Sequence, residues 1–164
     1  MSRLDSAIRG LQAQRACLDH VAALVQGVKG PVLEIGLGNG RTYDHLRERL
    51  PDRVVFVFER QVAAHPDCMP PPPFLILGDL AETLPGALAR IGTPAALAHA
   101  DIGSGRPEID RETAAMLALH LPGLMTEGGV VASDQPLAAP RLSPLPLPAV
   151  VPVGRYYLYR RYDR

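Results

Sequence analysis

The run Pro31-Val32-Leu33-Glu34-Ile35-Gly36-Leu37-Gly38-Asn39-Gly40 sets one acid ahead of three alternate glycines. Glycines at this spacing allow positive φ and let backbone N–H groups approach a ligand with no Cβ in the way. Val32, Leu33 and Ile35 form a buried-strand pattern before them, and residues 41–50 read as a helix stopped by Pro51. A ligand held by the loop would therefore sit at a helix N-terminus, which is the setting of a nucleotide-type cofactor. Three further apolar runs close on acids: residues 54–58 on Glu59, 74–77 on Gly78-Asp79 and 96–100 on Asp101. An acid at the end of the second strand, roughly twenty residues past the loop, can accept from both hydroxyls of a ribose, and acids at successive strand ends line the rim where open α/β sheets bind ligands.

The glycine spacing separates two cofactor classes. A dinucleotide fingerprint, G-x-G-x-x-G, needs glycine where Arg41 stands. The pattern present, E-x-G-x-G-x-G, resembles the first motif of the class I S-adenosylmethionine (SAM)-dependent methyltransferases. The resemblance runs from Gly30 to Asp134 and includes Gly128-Gly129, a glycine pair opening a fifth strand that ends at Asp134. It implies SAM as cofactor and methyl transfer as activity. Glu34, Gly36, Gly38 and Gly40 would line the methionine and ribose, Glu59 the ribose hydroxyls, Asp79 the adenine and Asp101 the methionine side, with Arg60 and Leu80 among the cofactor contacts. A SAM-binding module that acts through a partner without transferring the methyl is the alternative, with a nucleic-acid methyltransferase behind it.

SAM is already an activated electrophile, so much of catalysis is alignment of the acceptor. His99 and Asp134 are the candidate groups for deprotonating one. His99 lies inside the fourth strand, where a satisfied core histidine is the plainer reading. Asp101, Asp134 and Gln135 resemble the metal site of the catechol-type O-methyltransferases, whose hard oxygen ligands suit Mg²⁺. Glutamine in place of asparagine departs from that pattern. The reading preferred here leaves the metal out: Asp101 contacts the cofactor, and Asp134 is solvated or caps a turn.

The elements that position these residues alternate β and α, predicting one Rossmann-like, doubly wound α/β domain. Its sheet is mostly parallel, with an antiparallel last strand. Residues 1–29 read as an N-terminal helical extension, a helix or helix pair covering the substrate side, and 30–164 as the SAM-binding domain. Pro66 and Pro70 to Pro73 turn the connection between the second and third strands into a stiff loop, since proline removes helix donors. Prolines recurring from Pro136 to Pro152 abridge the usual elements after the fifth strand.

Composition narrows the partners. With 164 residues and 47% hydrophobic content a single core is affordable, and Lys plus Arg equals Asp plus Glu at 17 each. That balance argues against a phosphate-backbone partner and favours a small-molecule acceptor. Interleaved cations and tyrosines from Arg155 to Arg164 could form a base-stacking surface. The favoured reading is a strand whose tyrosines cover the core. Cys17 and Cys68 show no metal spacing, and no apolar run approaches the ~18 residues of a membrane span, so a cytoplasmic protein is expected. The truncated C-terminal half predicts exposed apolar surface and a homo-oligomer.

Overall fold

The computed structural model describes residues 2–163. Its strands are β1 (Val32–Ile35), β2 (Val55–Glu59), β3 (Leu75–Leu77), β4 (Ala95–Ala100), β5 (Met125–Ser133), β6 (Leu142–Leu145) and β7 (Tyr157–Arg161). They form one sheet in the order β3-β2-β1-β4-β5-β7-β6. β1 to β5 pair in parallel, and β7 lies antiparallel between β5 and β6. The helices are α1 (Arg3–Leu24), α2 (Arg41–Arg49), α3 (Leu80–Thr83), α4 (Ala87–Ile91) and α5 (Pro107–Leu124). This is the single, mostly parallel α/β domain expected. None of the described helices is long and apolar enough to cross a membrane.

Strand side chains alternate between two faces, and both faces are covered, so the inner strands are largely apolar on both faces, with Glu34 in β1 and His99 in β4 as buried exceptions. One core packs Val32, Val57, Leu97, Val130 and Leu158 against Cys17, Leu18 and Val21 of α1 and Leu46 of α2. The other packs Leu33, Ile35, Phe58, Ala98 and Val131 against Leu84, Ile91, Leu117 and Leu121. The register pairs Glu34 directly with His99. Alternation puts both on the face covered by α1 and α2.

α1 is one helix, opened by a reciprocal cap between Ser2 and Asp5. The connection between β2 and β3 holds only two short 3₁₀ turns, Pro66–Cys68 and Pro72–Phe74, as its prolines require. β6 differs from expectation. The proline-rich segment still contributes a strand, with Pro144 opposite Tyr159. β6 pairs on one side only, and an edge strand tolerates a residue that donates nothing.

Candidate active site

The glycines do different work. Gly36, at φ 89°, lets the end of β1 approach β4: a Cβ there would stand 2.9 Å from the carbonyl oxygen of Asp101. Gly40, at φ 85°, is the N-cap of α2, and a Cβ on it would collide with Cβ of Cys68. Gly36 thus lets the ends of β1 and β4 close on each other at the sheet rim, while Gly40 seats the loop on the proline-rich connection. Gly38 is exposed.

The Glu59 carboxylate holds that loop. One oxygen accepts from the N–H groups of Leu37 (2.8 Å) and Gly38 (3.2 Å), the other from Arg60 (2.7 Å) and Gln61 (3.0 Å). Partial burial works against the charge, but these donors prevail and keep its pKa below the usual glutamate value. The acceptor positions of the carboxylate are thereby filled. Gripping ribose hydroxyls would mean exchanging some of these bonds. Asp79 caps α3, its side chain accepting from the N–H of Ala81 at 3.0 Å. Between these residues lies a cleft of about 280 Å³, edged by Gly36, Glu59, Arg60, Asp79, Leu80 and Asp101 and walled by Phe58, Ile102 and Met116. Asp79 and Asp101 for hydrogen-bond donors, with apolar walls for a flat base, fit an adenosine group.

Asp101 also borders a second pocket, of about 550 Å³, lined by Gln14, Arg41, Asp134, Gln135, Arg155 and Tyr156 and flanked by Gly10 and Leu11 of α1. Beneath it runs a chain of side-chain hydrogen bonds. Nε2 of Gln14 donates to Asp101 (2.8 Å) and to the Tyr156 hydroxyl (3.2 Å). That hydroxyl lies 2.7 Å from Nε2 of His99, and Nδ1 of His99 lies 2.7 Å from Glu34. The other Glu34 oxygen accepts from the Thr42 hydroxyl. Burial opposes a charge on His99, yet Glu34, followed by Asp101 and Asp134, raises its pKa above the ordinary value.

Glu34 and His99 are 0% exposed, so Glu34 does not stand where the motif places it, and His99 is the satisfied core histidine of the plainer reading, not a free base. Glu34 does not line the cleft, and both ring nitrogens of His99 are already bonded, leaving none to meet an acceptor. The physical reason is the strand face: α1 and α2 cover positions 34 and 99. Their register partnership was missed, yet each lies two residues before the residue that ends its strand run, Gly36 or Asp101. That equal offset places them level on adjacent parallel strands. Gln14 and Tyr156 carry no comparable local signal, since their contacts close loops of 57 to 142 residues.

Asp134 is committed elsewhere. Its oxygens accept from the N–H groups of Ile102 (3.0 Å) and Gly103 (2.8 Å), and the Gln135 side chain donates to it at 3.2 Å. Burial raises its pKa, with the charge of Asp101 adding to the effect and the N–H donors opposing it. The set Asp101, Asp134 and Gln135 does not fit a Mg²⁺ site as it stands. Asp134 spends both oxygens fixing the loop after β4, and Gln135 turns an N–H toward it. Among the described residues no group of three His, Cys, Asp or Glu side chains could hold a metal ion. In the C-terminal segment Tyr156 and Tyr159 are 4% and 7% exposed, which removes both rings from any base-stacking surface. Arg164 lies outside the described residues.

The sequence profile of a family described as S-adenosyl-L-methionine methyltransferase matches residues 1–161. The crystal structure of an S-adenosyl-L-methionine methyl transferase from Silicibacter pomeroyi DSS-3 is 46% identical, with a TM-score of 0.91 over 98% of this chain and 99% of that one. Cofactor-bound Rv0187 from MTB is 18% identical, with a TM-score of 0.62 over 98% and 91%. The sugar N-methyltransferase KedS8 from Streptoalloteichus sp ATCC 53650 is 19% identical, with a TM-score of 0.52 over 85% and 55%. At these lower identities the likeness is one of fold. No functionally curated protein matches the chain.

Proposed function

The chain belongs to the S-adenosyl-L-methionine methyltransferase family, and from that premise we propose that it methylates a small-molecule acceptor. Its cofactor is SAM, which when bound supplies a methyl group on a positively charged sulfur. The observation that carries the acceptor class is the pocket of about 550 Å³ meeting the glycine-rimmed cleft at Asp101. That volume lies within the range of small-molecule sites, roughly 300–1,000 Å³.

In this reading Gly36, Arg60, Asp79, Leu80 and Asp101 bind the adenosine and methionine portions, and Glu59 holds the glycine loop to receive them. Residues 1–29 serve as the substrate-side cover, because Gln14 and its neighbours on α1 wall the acceptor pocket. Asp134 fixes the loop over the methionine side. The unbridged thiols of Cys17 and Cys68 suit a reducing cytoplasm. Leu4, Ile8 and Leu11 leave an apolar stripe exposed on α1 at 69%, 45% and 46%, the surface through which we expect self-association.

Calorimetry with SAM, followed by labelled methyl transfer to small hydroxyl, amine and thiol compounds, tests the reading. Micromolar SAM binding with turnover of at least one such compound is expected. Failure to bind SAM, or methylation confined to nucleic acid or protein, would overturn it.

A further inference from the structure

The buried chain from Glu34 to the acceptor pocket has the order carboxylate, imidazole, hydroxyl. With His99 neutral, its donors can be ordered consistently starting from Gln14. Asp101 accepts only, so the Gln14 amide presents its nitrogen, and the same nitrogen donates to the Tyr156 oxygen. The Tyr156 hydroxyl is then free to donate its own hydrogen to Nε2 of His99 at 2.7 Å, while Nδ1–H donates to Glu34 at 2.7 Å. Thr42 completes the Glu34 carboxylate, and among the described residues no buried side-chain nitrogen or oxygen lacks a partner. The arrangement follows the logic by which a buried acid orients an imidazole and stabilises its protonated form while the imidazole draws a proton from a hydroxyl.

Tyr156 is the one member of the carboxylate, imidazole and hydroxyl set that lines the acceptor pocket. Its oxygen takes one hydrogen bond from Gln14 and keeps a lone pair for another donor. Resting on the methyltransferase reading above, we infer that Tyr156 accepts the acceptor's proton and passes its own to His99, so that the acceptor is a hydroxyl compound. A thiolate or free amine would have no use for such a relay.

The step balances as follows. The acceptor O–H bond breaks, and its hydrogen bonds to the Tyr156 oxygen as the Tyr156 hydrogen moves to Nε2 of His99. The acceptor oxygen's electron pair forms the new C–O bond to the methyl carbon. The S–C bond breaks with its pair remaining on sulfur, which becomes a neutral thioether. One proton is left on His99, held against the Glu34 carboxylate until solvent removes it after release. Burial raises the pKa of Tyr156, so the tyrosine passes the proton on and does not rest as phenolate. His99 and Glu34 act through Tyr156 and are positioning residues; Tyr156 is the catalytic one.

The test uses the full chain, SAM and a panel of simple phenols and alcohols, with a small thiol assayed at pH 9.5 as an acceptor that is already ionised. General-base assistance contributes on the order of 10²–10⁴-fold. Tyr156→Phe should therefore lower kcat on the hydroxyl acceptors by about a hundredfold or more. Its SAM affinity should stay within about twofold, and any transfer to the thiolate should fall less than about threefold, because neither uses the proton path. SAM binding without turnover of any hydroxyl compound, or a Tyr156→Phe variant with unchanged kcat on them, would overturn the inference and leave the methyltransferase reading standing. Absence of SAM binding by the wild type would overturn both. Should Tyr156→Phe fail to fold, ¹⁵N-histidine NMR of the wild type decides. At the alkaline end of the folded range, above its raised pKa, His99 should carry its proton on Nδ1 and none on Nε2, and an Nε2 proton persisting throughout the folded range would overturn the relay.

Discussion

The two halves of the site, divided at Asp101, are built by different means. On the adenosine side the acids bond to backbone N–H groups supplied by the glycine loop or by the residues just after each strand: Glu59 to Leu37, Gly38, Arg60 and Gln61, and Asp79 to Ala81. On the acceptor side, Asp134 apart, side chains bond to side chains across 57 to 142 residues of sequence: Gln14 to Asp101 and Tyr156, and His99 to Glu34 and Tyr156. The first half shapes a loop that any chain with these turns would form. The second half exists only when α1, β1, β4 and the start of β7 are all in place. Ligand geometry on the adenosine side should therefore tolerate distant substitutions, while the acceptor side should couple chemistry to the stability of the whole fold.

The sharpest way to break that contrast is Glu34→Ala. It strips His99 and Thr42 of their shared partner in a fully buried site, and loss of one member of a buried pair costs about 3–5 kcal/mol. Urea unfolding should register a fall of that size. Gly40→Ala comes next at about 2–4 kcal/mol, from left-handed strain combined with overpacking against Cys68. The same unfolding measurement checks it, and it should also blunt SAM binding through the displaced loop.

Glu59→Ala removes charge-assisted hydrogen bonds from the glycine loop and should weaken SAM binding by about 1.5–3 kcal/mol with a smaller loss of stability. Its pH dependence has a definite sign. The folded pKa lies below the ordinary value of 4.5, so the contribution is complete above that value and is lost as pH falls through the depressed one. Stability curves of wild type and Glu59→Ala should thus run parallel near neutrality and converge in acid. The smallest effect is expected from Tyr159→Phe, which deprives the Leu137 N–H of its acceptor at 2.9 Å. About 1 kcal/mol should be lost by thermal melting, with SAM affinity unchanged, since this contact lies outside both clefts.

The same division explains what could be read in the sequence. The glycine loop, Glu59 and Asp79 announce themselves because turn chemistry and strand ends are local. The sheet is equally legible, since β1 to β4 and the second half of β5 are largely apolar runs, with Glu34 and His99 as exceptions, that end at carboxylates or at the glycine loop. β6 escapes because Pro144 argues against a strand until its edge position is known. Glu34 was misplaced for a related reason: its motif position points toward a cofactor, while its strand face, fixed by α1 and α2, points into the core. Gln14 and Tyr156 were invisible as site residues, because a helix glutamine and a tyrosine just before β7 acquire meaning only once residues 142 positions apart are in contact.

Calorimetric titration of SAM into the wild type, Glu59→Ala and Tyr156→Phe tests the division most directly. The wild type should bind, Glu59→Ala should lose about ten- to a hundredfold in affinity, and Tyr156→Phe should stay within about twofold of the wild type. Equal losses in the two variants, or no binding by the wild type, would contradict a site whose cofactor half and acceptor half are separately built.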